Sequence, residues 1–256
     1  FLDASSAIAS NNVSQSMVAE QYSSGKLQVL KTGTAEQPIL KKKGDDLRID
    51  WGYFYVAVPT ATGVEQFISS GIQHPQLLGA PKSKKAAGKQ LILNTVVHLG
   101  KVGKSAVEQL FLLGYDDLYS VQYFGTNLRP WWNNDGKQTI ENQLGSAYAG
   151  YKEVLKKCET FNQQLTSQAK KSGGDKYAAL VTLAYRQSIA AHKLVKSPNG
   201  DLLFLSKENY SNGSINTVDV TYPSAPLFLL YNPDLLKGML NGIFYYSESG
   251  KWTKPF

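Results

Sequence analysis

The hydrophobic period of the chain changes once, across "LRPWWNNDGKQ" (128–138), and that change limits the folds open to it. Before it, apolar residues come in short alternating or fully apolar runs bounded by Gly, Pro and Asp. After it, they recur at i, i+3, i+4 and i+7. A period of 2 sends alternate side chains to opposite faces of a strand, whereas a period of 3.6 stacks them on one face of a helix. Residues 1–132 are therefore expected to form a β-domain and residues 133–256 a helical one.

The β half reads unevenly. "LRIDWGYFYVAVP" (47–59) puts Trp51, Tyr53 and Tyr55 on one face and Phe54, Val56 and Val58 on the other. That pattern predicts a strand covered on both sides and ended by Pro59. "QLILNTVVHLG", "AVEQLFLLGYDD" and "LYSVQYFG" follow the same rule. Ser105 as N-cap with Glu108 at N3 also allows a short helix over Ser105–Leu113. "APKSKKAAGK" (80–89) reads as a basic, flexible loop. Residues 1–40, rich in Ser, Gln and Thr, read as loop with one short strand or helix near Met17–Tyr22.

In the helical half, Leu144, Ala147, Tyr148, Tyr151, Val154, Leu155, Cys158, Phe161 and Leu165 mark one long amphipathic helix closing at Ser172-Gly173-Gly174. Asp175 then caps a second helix, Lys176 to about Val195, which is apolar or small nearly all round and so is expected inside a helical assembly. "SPNGD" predicts a tight turn into a strand at "LLFLS". Short helices are expected from Ser224 and Pro226 and from Asn232-Pro233, the last with a stripe of Leu235, Leu236, Met239, Leu240, Ile243 and Phe244.

Charge and composition narrow the function classes. The net charge is +7, but the lysines are scattered and only Arg48, Arg129 and Arg186 could read nucleic acid bidentately, so no nucleic-acid partner is expected. Cys158, the single cysteine, excludes an intrachain disulfide and is expected to be buried on the apolar helix face. His74, His98 and His192 have no metal-ligand spacing, and neither a metal nor a cofactor is expected. No run approaches the 18 or so apolar residues of a membrane span. The chain starts at Phe1 without a leader segment and reads as processed or excised.

"IDWGYFYVA", "YFGTNLRPWW", "YAALVTLAYRQSIAAHKL" and "FLSKENYSNGSINTVDVTYPSAPLFLLYNPDLL" together resemble the glutaminase A family from about residue 46 onward. The resemblance implies an α+β multidomain protein: the end of an N-terminal β-sandwich followed by the first hairpins of an (α/α) toroid of the six-hairpin glycosidase type. It implies a secreted or periplasmic hydrolase. A ring of six hairpins needs about a dozen helices and this chain has room for about four. It is therefore expected to be an internal fragment, inactive alone, whose helical domain is completed by the remainder of the parent chain.

On such a fold the inner helices aim their ends, and the loops after them, at a central cleft. "SKENYSNGSINTVDVTYPSAP" (206–226) is long and polar and follows the helix carrying "YRQSIAAHK". Glu208 and Asp219 are the candidate acid and base. Tyr185, Arg186, Gln187, His192, Lys207, Asn212 and Tyr222 are the candidate substrate-binding residues. Each has a plainer reading. Arg186 can simply pair with Asp219, or else Glu208, to hold the loop down. His192 can be a hydrogen-bonded core histidine, Lys207 and Glu208 a solvated pair, and Asn209 and Asn212 turn residues or glycan acceptors. Ser211, Ser214 and Thr217 could supply a hydroxyl nucleophile, but no Gly-x-Ser-x-Gly elbow is present. Trp51, Trp131 and Trp132 suit packing better than sugar stacking. The substrate is expected to be a small molecule, either glutamine, hydrolysed to glutamate and ammonia, or a carbohydrate cleaved by a glycoside hydrolase-like enzyme.

Overall fold

A computed structural model describes residues 1–10, 12–45, 47–61, 63–71, 82–101, 103–208 and 211–255. The fold is α+β: antiparallel sheets precede and interrupt a helical region. The chain separates into two compact units. The first holds residues 1–41, 48–118 and 138–150, and the second holds 42–47, 119–137 and 151–256. The change of secondary structure near 130 thus does not coincide with the packing boundary, because 119–137 pack with the later helices.

The first unit contains β1 (Leu2–Ser5), β2 (Ser16–Ser24), β3 (Leu27–Thr34), β4 (Tyr53–Pro59), β5 (Val64–Ser70), β6 (Ser83–Ala87), β7 (Leu91–Val97) and β8 (Leu112–Asp116). They form an antiparallel sheet in the order β6-β2-β3-β4-β8 and a second in the order β1-β7-β5. Both sheets feed one apolar core, which includes Met17 and Leu30 from the first and Ile68, Leu91 and Leu93 from the second. β4 is buried on both faces and ends at Pro59, as its pattern predicts. Asn94 is also buried. Its amide donates to the Phe67 carbonyl at 3.2 Å and to Ser69 Oγ at 3.0 Å, which ties β7 to β5.

Several expectations for this half need correction. Residues 1–40 are not mainly loop: they supply β1 and the β2–β3 hairpin, which turns at Gly25 with φ +56°. β2 has few buried positions, and β3 buries Thr32, Gly33 and Thr34 beside its apolar residues, so hydropathy alone under-reports both. Of the lysine-rich loop, Ser83–Ala87 is strand β6 at one edge of the larger sheet, paired with β2. Lysines on an edge strand discourage pairing with another chain. Val64–Ser70 is a strand that the sequence reading passed over. Residues 105–111 form no helix, and "LLGYD" pairs with β4 instead.

The second unit joins two hairpins to helices. β9 (Val121–Tyr123) pairs with β10 (Thr126–Leu128), and β11 (His192–Lys196) pairs with β12 (Leu202–Ser206). The "SPNGD" turn forms as predicted: Asp201 N donates to Ser197 Oγ at 2.9 Å, and Gly200 takes φ +96°. Alternation along β12 gives it two covered faces. Leu203 and Leu205 join Val195, Val121, Tyr123 and Leu128 in one cluster. Phe204 joins Phe228 and Met239 of the helices in another.

Helix α1 spans Ile140–Ala190 and is interrupted at Gly174, whose φ/ψ of 78°/−172° only glycine adopts readily. The predicted close at Ser172-Gly173-Gly174 is thus a break inside one long element. Its second segment stops at Ala190 rather than near Val195, because "HKLVK" is taken by β11. That segment is not buried within the described chain: Leu180 is 63% and Leu183 53% exposed. Cys158 is exposed too. The helical period locates an apolar face correctly but says nothing about what covers it.

α2 (Val218–Tyr231) starts earlier than predicted and contains Pro223 and Pro226. Proline interrupts a helix by removing a bond to the carbonyl four residues back. Here those carbonyls belong to Asp219 and Tyr222, both exposed, where water can replace the lost donor. Val218–Val220 is therefore helix, not an alternating strand, and Val218 is largely exposed. α3 (Pro233–Glu248) begins as expected, with Asn232 capping Leu235 N and Pro233 in the first turn. Met239 is fully buried while Phe244 is exposed.

Candidate functional site

The polar loop between β12 and α2 is tied down by short polar side chains. Lys207 and Ile215 form an antiparallel bridge, and Asn216 N donates to the Ser206 carbonyl at 2.8 Å. Lys207 N donates to the Ala191 carbonyl at 2.9 Å, which brings the end of α1 against the loop. Asn212 pairs with Asp45, and its Oδ1 accepts from Ser214 N at 2.7 Å. Gly213 N donates to the Gly44 carbonyl at 3.1 Å. Buried or half-buried main-chain groups need such partners, and Asn, Ser and Thr supply them here.

Glu208 lies at the centre of this arrangement. Its Oε1 accepts from the Thr217 hydroxyl at 2.8 Å. The Ser211 hydroxyl donates to the Glu208 carbonyl at 2.7 Å and lies 3.4 Å from the carboxylate. Thr217 and Ser211, considered as nucleophiles from sequence, instead hold the carboxylate. Thr217 also immediately precedes α2, so Glu208 sits at the helix N-terminus, where partial positive charge favours an anion. Asp219 lies in the first turn of α2, and Tyr222, one turn on, is 80% exposed.

The remaining candidates divide. Tyr185 packs with Phe161 and Tyr231, at ring-centroid distances of 5.0 and 5.8 Å. Burial, reinforced by Tyr231, raises its phenol pKa. Tyr231 closes α2, roughly 18 Å of helix beyond Asp219, so Tyr185 is not brought to the carboxylates. Arg186 and Gln187 are exposed on the last turns of α1. Arg186 makes no ion pair with Asp219 or Glu208, which overturns the expected pairing: the helix face that was to starve the guanidinium of water is open to it. Asn209 lies outside the described residues.

His192 takes the plainer of its two readings. It is buried at the start of β11, opposite Ser206. Its ring stacks on Phe204 at 4.5 Å and 13° and meets Phe228 edge-on at 5.5 Å. Nδ1 lies 2.6 Å from the Ser188 carbonyl, so Nδ1 carries the proton and donates it. Burial lowers the pKa, outweighing the opposing effect of that hydrogen bond, and the ring is neutral.

Sequence reasoning missed a groove beside the same loop. Tyr123, Phe124, Asn216, Tyr246 and Trp252 line a cavity of about 480 Å³. Only "NTV" after a Gly-Ser turn and an aromatic at a hairpin tip hint at it, and those segments are far apart in the chain.

The structure thus defines an α+β protein with a polar, carboxylate-bearing loop at a helix N-terminus. Residues 1–168 match the family model described as a domain of unknown function, DUF5127, and residues 174–256 match the glutaminase A six helical-hairpin domain. The gap between the matches falls at the Gly174 break. "Glutaminase A" of Aspergillus oryzae is 30% identical over 162 residues, covering 62% of this chain and 23% of that protein. "Probable glutaminase" of Arthroderma benhamiae is 31% identical over 131 residues, covering 51% of this chain and 15% of that protein. The chain belongs to the glutaminase A family, and it spans less than a quarter of the length of either relative.

Proposed function

We propose that this chain is part of a secreted, glutaminase-like hydrolase that converts glutamine and water to glutamate and ammonia. The observation that carries the reading is family membership, supported by two adjoining family-model matches and two fungal relatives named as glutaminases. In this reading the chain supplies the end of a β-sandwich, residues 1–132, and the first hairpins of an (α/α) toroid, residues 133–256.

Glu208 and Asp219 are the proposed acid–base pair. Hydrolysis adds water to the side-chain amide carbon, forms a tetrahedral intermediate and expels ammonia after the nitrogen is protonated. The Thr217 hydroxyl orients Oε1 of Glu208, and in this reading Oε2, which lies 3.4 Å from a Ser211 hydroxyl that donates to the Glu208 carbonyl, takes a proton from water. In this reading Asp219, on the exposed first turn of α2, relays the proton taken up at Glu208 to the leaving nitrogen. Arg186, exposed and without a carboxylate partner among the described residues, offers its guanidinium for the substrate carboxylate, with Lys207, Asn212 and Tyr222 in or beside the loop. His192, packed among rings, serves this site as support, whereas Tyr185 packs away from it.

The test is ammonia release from glutamine by the full-length protein beside Glu208→Gln and Asp219→Asn. The reading expects kcat to fall by about a hundredfold or more in at least one variant, with thermal stability retained. Wild-type turnover in both variants would refute the assignment, and no turnover of glutamine by the wild-type protein would refute the reaction.

A further inference from the structure

The groove that opens beside the loop has features that the amide-hydrolysing reading does not use. Its wall is aromatic: Phe124 and Tyr246 lie parallel within 6° at 5.7 Å, and Trp252 meets Tyr246 edge-on at 6.3 Å. Two of its residues hold left-handed backbone conformations without being glycine. Phe124 has φ +45° at the tip of the β9–β10 hairpin, and Asn216 has φ +57°. The tip position favours Asn, Asp or Gly, and a bulky ring there is conformationally costly. Strain of this kind gathers at ligand clamps.

The polar groups of the groove are all uncharged. Asn216 Oδ1 is buried, and among the described residues it has no hydrogen-bond partner. Gly242 leaves room for this amide, since a Cβ there would lie 2.8 Å from Asn216 Nδ2. Gln122 donates its amide hydrogen to Asn127 at 3.2 Å, and Ser247 donates its hydroxyl to the Phe244 carbonyl at 3.1 Å. The amides and the Ser247 hydroxyl leave a ligand both donors and acceptors, and Trp252 adds its indole N–H. None of the lining residues is charged. Lys251, which is not a lining residue, lies over the Phe124 ring at 5.5 Å.

We infer that this groove binds a neutral saccharide. A ligand suited to it has a flat apolar face for the rings, several hydroxyls that both donate and accept hydrogen bonds, and no charge. A pyranose ring meets all three conditions, because its C–H face stacks on aromatics while its rim donates hydrogen bonds. A zwitterionic amino acid such as glutamine fails the last, since nothing in the lining neutralises its carboxylate or ammonium. The groove adjoins the proposed reaction centre, since its lining residues Asn216 and Val218 flank Thr217, but the inference does not rest on that reaction.

Calorimetric titration and saturation-transfer NMR of the full-length protein with methyl β-glucoside, maltose and cellobiose test the inference, with indole and glutamine as controls. Saturable binding of at least one sugar is expected, weakened about tenfold or more by Tyr246→Ala and by Asn216→Gly, a change that suits the positive φ. Circular dichroism of both variants should match wild type. A third variant, Trp252→Ala, lies outside regular structure and leaves folding untouched; it too should weaken binding. The inference is overturned if no sugar saturates, if sugar binding survives in Tyr246→Ala and Trp252→Ala, or if indole or glutamine competes for the groove better than every sugar.

Discussion

His192 separates a structural from a catalytic reading of the loop more sharply than any other side chain. Truncation to alanine removes two ring contacts, worth about 0.5–1.5 kcal/mol each beyond buried area, and a hydrogen bond worth about 1 kcal/mol. The expected loss is therefore about 2–4 kcal/mol, read from urea denaturation at pH 7.5. His192→Phe keeps both ring contacts and discards Nε2, which has no partner among the described residues, along with the bond to Ser188, so it should stay within about 1 kcal/mol of wild type. Acid supplies an independent arm. Burial lowers the folded-state pKa of His192 below the unfolded value of about 6.5. The unfolded chain then takes up the proton first. Stability is complete above about pH 6.5 and falls as pH drops from there toward the folded pKa, by at most about 1.4 kcal/mol per pH unit. The slope that belongs to His192 is the difference between wild type and His192→Phe over the same window. If His192→Ala abolishes turnover in the full-length protein without changing stability, or if His192→Phe keeps the wild-type acid slope, the ring is not the buried neutral support described above.

Thr217→Val removes the hydroxyl that holds Glu208 and should cost about 1 kcal/mol, with faster amide exchange across the 211–217 segment; unchanged exchange would mean the loop does not rely on that bond. Gly174→Ala forces a side chain into backbone geometry reserved for glycine and should destabilise the chain by about 1–3 kcal/mol, visible as a lower thermal midpoint. Arg186→Ala should alter stability by less than about 0.5 kcal/mol, since the residue is exposed, yet raise KM for glutamine in the full-length protein. A large stability loss there would restore a buried pairing that the present geometry lacks.

Much of the candidate site was legible in the chain, and the reasons for the rest are specific. The polar stretch 206–226 announced itself by length and polarity; only 207–217 of it is loop, and Asn and Ser side chains there do bond the loop's backbone. Which oxygen meets which hydroxyl was not legible, because Glu208 finds Thr217 only once the Lys207–Ile215 bridge folds the loop back. The Arg186 pairing failed because it assumed a covered helix face, and coverage belongs to the surroundings of a helix rather than to its period.

The sequence by itself determined what depends on near neighbours. Strands at Tyr53–Pro59 and Leu91–Val97, the break in α1 at Gly174, the turn at Ser197–Asp201 and the start of α3 at Asn232-Pro233 all follow from side-chain period, backbone permissiveness or a local cap. Only the tertiary structure decided what depends on distant partners. The Ser- and Thr-rich β2 and β3 are strands because each has a neighbour to bond. The edge strand at Ser83–Ala87 exists because β2 templates it. His192 is neutral because Phe204 and Phe228 exclude water from its ring, and the aromatic groove joins residues near 123, 216 and 246, whose meeting is written in no local pattern. Hydrogen-bond partners and desolvation act through space, so a linear chain records the groups that need them without recording where they are met.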